Sequence, residues 1–99
     1  MAEQILMTPE EMRSNATTID NYRDNIITIL GQLESTIRVV EEGWKGASQC
    51  SFLEGYREIK ENALSKFPDI LEGISAQLNS SAQVMEETDQ ELANMLRGG

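Results

Sequence analysis

Glu41-Glu42-Gly43-Trp44-Lys45-Gly46-Ala47 stands at the midpoint of a 99-residue chain and decides how the rest is read. Gly43 and Gly46 flank the single tryptophan, and a long apolar-periodic run lies on either side. Gly43 suits the position just past a helix end. Gly46 lets the chain reverse closely, because glycine enters positive φ without a steric cost. A turn is therefore expected over about 43–46.

Upstream of that turn, Met12, Ala16, Ile19, Ile26, Leu30, Leu33, Ile37, Val40 and Trp44 recur three and four residues apart. This is the period of an α-helix with one apolar face, and Arg23 alone interrupts it. The start is marked by Met7-Thr8-Pro9-Glu10-Glu11-Met12-Arg13. Thr8 suits the N-cap, Pro9 the first helical position, and Glu11 the reciprocal partner of Thr8 in a capping box. The acidic first turn also complements the helix dipole. A helix is expected over about 9–42, with Glu34–Arg38 and Glu41–Lys45 as pairs four residues apart in the favourable order.

Downstream, the apolar positions are Phe52, Tyr56, Ile59, Ala63, Phe67, Leu71, Ile74, Leu78, Ala82, Met85, Leu92 and Leu96, with Asp89 as the interruption. They predict a second helix over about 47–95. Pro68 falls inside it, where a proline costs about 3 kcal/mol and removes a hydrogen bond. A third helix opening there would take Phe67 as its N-cap, a poor capping residue. The apolar phase runs through without a gap, so one long helix kinked near Pro68 is expected. The whole chain, 1–99, reads as a single domain.

Two long helices joined by a tight turn must lie antiparallel. Each has an apolar arc wider than one seam: Tyr22, Ile27, Ile29 and Val39 flank the first stripe, and Leu53, Leu64 and Ile70 the second. A hairpin has no third layer to cover them. The expected fold is thus all-α, an antiparallel helix-turn-helix hairpin that dimerises into a four-helix bundle. Ile19, Ile26, Leu30, Leu33, Ile37, Val40, Phe52, Tyr56, Phe67, Leu71, Ile74 and Leu78 are the expected packing residues of hairpin or dimer.

Composition narrows the function. The chain has no histidine, one cysteine and a net charge of −9, with 17 acidic residues against 8 basic. No His is present to activate a Ser or Cys nucleophile, a zinc site would lack its usual ligands, and a disulfide within the chain is impossible. No catalytic, cofactor or metal site is expected, and the chain is not read as an enzyme. The acidic balance disfavours nucleic acid and anionic lipid surfaces. No run reaches the length of a membrane span, so no stable membrane insertion is expected. The first residues lack the basic and apolar regions of a signal peptide. Cys50 is expected to be a buried or half-buried free thiol.

Trp44-Lys45-Gly46 at mid-chain, Phe52 and Tyr56 after it, the opening Met7–Arg13 and the late Leu78-Asn79-Ser80-Ser81-Ala82 and Glu87-Thr88-Asp89-Gln90-Glu91-Leu92 together resemble the WXG family of early-secreted-antigen-like proteins. That resemblance covers essentially the whole chain. It implies a helical hairpin and a homodimer, or a heterodimer with a related WXG protein. It also implies export by a type VII (ESX-like) secretion system of a Gram-positive bacterium without a cleavable signal peptide, with extracellular localisation. Trp44 and Gly46 would carry the export signal, read by an FtsK/SpoIIIE-like ATPase, and the product would act by protein–protein interaction, as in virulence. Many members add a Tyr-x-x-x-acidic motif in the tail; this chain has only Tyr22 and Tyr56, so that half of the signal is not assigned. Two other readings are a membrane-perturbing secreted effector and an intracellular coiled-coil adaptor or chaperone for a larger exported protein.

Overall fold

The computed structural model describes residues 7–98. Helix α1 spans Pro9–Gly43, α2 spans Ala47–Asn62, a short 3₁₀ turn covers Leu64–Lys66, and α3 spans Phe67–Gly98; there is no strand among the described residues. α1 runs one way, and α2 and α3 together return along it. The molecule is a rod 80 × 25 × 18 Å with a radius of gyration of 22.4 Å. A compact domain of this length would have a radius near ~13 Å. Such a shape has little interior.

α1 starts as its sequence dictates. The Thr8 hydroxyl accepts from the Glu11 backbone N–H at 3.1 Å, and the Glu11 carboxylate accepts from the Thr8 N–H at 3.3 Å, with Pro9 at the first helical position. Both halves of the capping box are therefore formed. At the far end the helix includes Gly43 and takes Trp44 as its C-cap. Gly43 is thus the last helical residue rather than the first one past the end.

The tight core lies where α1 meets α3. Ala16 (1% exposed), Ala82 (0%) and Ser75 (3%) are the buried residues there, and all are small. Small side chains let two helix backbones approach closely, and the Ser75 hydroxyl uses that approach to donate to the Ala16 carbonyl at 3.1 Å. Arg23, the charged interruption of the first stripe, is half-buried but held by Asp20 at 3.7 Å and Asp24 at 3.2 Å. Those carboxylates, with Glu72 of α3 adding to the field, raise its pKa. The Arg13–Glu86 ion pair ties the start of α1 to α3. Beyond that pair α3 runs past the end of its partner, leaving Leu92, Met95 and Leu96 exposed.

The return rod differs from the single kinked helix expected over about 47–95. Ala63 leaves helical geometry (φ −132°, ψ −63°), and the turn that follows is tightened to 3₁₀. The physical reason is Pro68, whose ring collides with the carbonyl four residues back and which has no N–H to offer it. The chain breaks one turn earlier, and Pro68 becomes the second residue of a new helix, where its missing N–H is harmless. Phe67 needs no capping side chain, because its N–H bonds back to the Leu64 carbonyl and that of Lys66 to Ala63 at 3.0 Å.

The inner face of the return rod is also displaced from the apolar stripe. Leu53, Tyr56, Leu64, Pro68, Leu71, Ser75, Leu78, Ala82 and Met85 are buried or half-buried. Phe52, Ile59, Phe67 and Ile74 remain 39%, 57%, 47% and 43% exposed. At four places the residue facing inward is the one just after the apolar residue of the stripe. On α1, by contrast, Ile19, Ile26, Leu30, Leu33, Ile37 and Val40 are all half-buried. The centre of the α2–α3 apolar arc therefore points to one side of the hairpin, not at α1.

Candidate functional site

The turn between α1 and α2 gathers the residues most suited to recognition. Gly46 adopts φ +125°, ψ +177°, the one positive-φ position among the described residues. That backbone region is open in practice only to glycine. An added Cβ would meet no heavy atom within 4 Å, so the requirement for glycine comes from the backbone itself and not from crowding. This is the physical content of the glycine in Trp-x-Gly: it lets α2 start three residues after the indole while reversing direction.

Trp44 is half-buried and packs on Phe52, with ring centroids 5.5 Å apart and planes inclined by 38°. The offset, tilted arrangement is one that aromatic quadrupoles favour. Phe52 sits on the second turn of α2, eight residues beyond Trp44, so the Gly46 reversal is what brings the two rings together. The turn is closed on its other side by Gln49. Its backbone N–H donates to the Gly46 carbonyl at 3.2 Å, and its side-chain amide donates to the Glu41 carbonyl at 2.6 Å. Glu41 lies in the last turn of α1, whose carbonyls have no helical partner, and Gln49 satisfies one of them.

Below the turn, Glu34 of α1 receives two donors from α2. The Tyr56 hydroxyl donates at 3.1 Å and Lys60 forms an ion pair with the same carboxylate oxygen. Lys60 holds the Glu34 pKa below the usual carboxylate range, against the opposing effect of desolvation. Desolvation first, and then the Glu34 hydrogen bond, raises the Tyr56 pKa. Glu34 was expected to pair with Arg38 along its own helix; it reaches across to α2 instead. Glu41–Lys45 is not formed either, because α1 ends at Gly43 and Lys45 lies beyond it.

Cys50 lies in the first turn of α2 and is exposed, contrary to the buried or half-buried thiol expected. Helix α2 rests on α1 through Leu53, Tyr56 and Lys60, and Cys50 lies one turn before Leu53, at the open start of the helix. A signal for the Tyr56 and Lys60 contacts was present in the sequence, since both sit at helical spacing from Leu53. Nothing in the sequence indicated which α1 carboxylate would receive them.

No helix among the described residues is long and apolar enough to cross a membrane. Comparison with known proteins places the hairpin. Residues 4–90 match the family model of "proteins of 100 residues with WXG". Protein YukE of Bacillus subtilis is 33% identical over 98 residues, covering 99% of this chain and 100% of its own. The type VII secretion system extracellular protein A of Staphylococcus aureus is 33% identical over 90 residues, covering 91% of this chain and 92% of its own. Among solved structures, EsxA of Geobacillus thermodenitrificans superposes with a TM-score of 0.72 at 31% identity, over 94% of this chain and 99% of that one. With its Trp44-Lys45-Gly46 reversal between antiparallel helices, the chain belongs to the WXG100 family.

Proposed function

We propose that this protein is a small secreted dimeric substrate or adaptor of a type VII secretion system, acting by protein–protein interaction. Its resemblance over nearly its whole length to a relative named as a type VII secretion extracellular protein carries the reading. The Trp44–Gly46 turn is the recognition element for export, and an FtsK/SpoIIIE-like ATPase is its reader. An indole on a rigid reversal at the end of a rod suits that role: tryptophan is enriched at binding hot spots, and Gly46 fixes its direction.

The dimer reading rests on the exposed apolar edge. Among the described residues no large side chain is fully buried, while Phe52, Ile59, Phe67, Ile70 and Ile74 line one rod and Tyr22 and Ile29 the other. Domains near this size are marginal even when compact, and a bare two-helix rod buries less still. A second hairpin laid against these edges would complete a four-helix bundle, whose axis the displaced apolar arc of α2–α3 would then face. Full burial of a large apolar side chain contributes about 1.5–3 kcal/mol, so covering this half-shielded set contributes an amount comparable with a typical domain's whole stability margin.

The test is a culture-supernatant assay. Wild-type protein should appear outside the cells and disappear from the medium in a strain lacking the secretion ATPase. Trp44→Ala should fold, as judged by helicity, and remain inside. Normal export of Trp44→Ala would remove the indole from the recognition element, and export in the ATPase-deficient strain would remove the type VII reading altogether.

A further inference from the structure

Within one hairpin, α2 is the least supported of the three α-helices among the described residues. None of its residues is buried, and only Gln49, Leu53 and Tyr56 are half-buried. Its 16 residues are a length at which isolated helices are marginal in water even when rich in alanine. Gly55 weakens its interior. Its N-cap, Gly46, has no side chain to bond the first N–H groups, and its first turn carries no acidic residue. α1 has the opposite character: 35 residues, a complete capping box and two acidic residues in the first turn.

Within one hairpin, what holds α2 in place comes from α1 and the turn. Tyr56 and Lys60 are bound to Glu34, Phe52 packs on Trp44, and Gln49 bonds the Glu41 carbonyl. Both ends are breaks in helical geometry, Gly46 on one side and Ala63 with its 3₁₀ turn on the other. Both ends are also anchored, because α1 runs unbroken to Gly43 and α3 begins at Phe67. A rigid outward swing is therefore blocked. α2 can leave α1 only by unwinding where it lies, and an unwound segment at about 3.3 Å per residue easily bridges its own ends.

We propose that α2 opens as a unit, unwinding and re-forming between Gly46 and Lys66 while α1 and α3 stay paired, and that this opening controls how Trp44 is presented. The ties to Glu34 form the latch. Phe52 is the ring partner of Trp44, so each opening strips that partner from the indole and exposes the Leu30–Val40 face of α1 beside it. The part of α1 that meets α3 is untouched, because Ala16, Ser75 and Ala82 lie far along the rod.

Amide hydrogen exchange read by mass spectrometry on the full chain, at its native oligomeric state, tests this. Amides of Ala47–Asn62 should exchange at least about tenfold faster than those of Phe67–Met85, as separate cooperative units do. Glu34→Gln and, as a milder variant, Tyr56→Phe should accelerate exchange in Ala47–Asn62 and red-shift Trp44 fluorescence, with Phe67–Met85 unchanged. Arg13→Met, which breaks the ion pair to Glu86, should leave α2 exchange unaltered. Equal protection of α2 and α3 in the wild type overturns the proposal. So does a Tyr56→Phe variant in which both helices accelerate together.

Discussion

Two glycine-to-alanine substitutions should act in opposite directions, for reasons that lie wholly in the backbone. Gly46 is held at φ +125°, ψ +177°, and a Cβ there would touch nothing within 4 Å. The cost of Gly46→Ala is therefore the strain of placing a Cβ-bearing residue in a glycine-only region, about 1–3 kcal/mol. Gly31 lies inside α1, again with nothing within 4 Å of an added Cβ. There alanine reduces the freedom of the unfolded chain and raises helix propensity, stabilising by about 0.5–1 kcal/mol. For a chain of this size 1 kcal/mol corresponds to about 4–8 °C in Tm. Gly46→Ala should thus melt about 4–24 °C below wild type and Gly31→Ala a few degrees above it. The assay is thermal unfolding followed by far-UV circular dichroism, at one protein concentration for all three proteins, since an associating chain has a concentration-dependent Tm. A Gly46→Ala protein melting with or above wild type would refute the reasoning, as would both variants shifting the same way.

Three further outcomes follow from the packing and charges. Ala82 has no exposed surface at the α1–α3 contact, so Ala82→Leu should overpack it and cost about 1–3 kcal/mol in urea unfolding; Ala76→Leu, on the exposed side of the same helix, should change little. Acid should weaken the fold. Glu34 and Glu86 have pKa values depressed by Lys60 and Arg13, so their contribution is full above the ordinary carboxylate range and lost as pH falls through the depressed values. A Tm-against-pH profile should be flat near neutrality and decline in acid, and Glu34→Gln should flatten part of that decline. Gln49→Ala, which frees the Glu41 carbonyl at the end of α1, should lower Tm modestly without reducing helicity below the turn.

Much of this architecture was legible because local chemistry and global fold agree. Thr8, Pro9 and Glu11 announce the start of α1 through hydrogen bonds made within four residues. Gly46 marks the reversal through a backbone requirement intrinsic to glycine. The stripe from Ile19 to Val40 lies on the half-buried side of α1, since one partner rod lies along it. The return rod was harder to read. Pro68 announces a break, but the break is placed by the clash one turn back, so the helix ends at Asn62 and restarts at Phe67. The stripe of Phe52, Ile59, Phe67 and Ile74 points to the open side because periodicity locates the centre of an apolar arc without stating what covers it. The partners of Glu34 depend on the register between two helices more than twenty residues apart in sequence, where local rules for pairs four residues apart have no reach. Free cysteine is usually buried, but Cys50 stands in the first turn of α2, next to the reversal, and is exposed.

The exposed apolar edges make the oligomeric state the most direct measurement. Light scattering coupled to size-exclusion chromatography at micromolar concentration, with circular dichroism on the same fractions, should give a helical species of twice the 11.1 kDa chain mass. A species of single-chain mass that keeps full helicity would contradict the account, because it would leave Phe52, Ile59, Phe67, Ile70 and Ile74 in water without penalty.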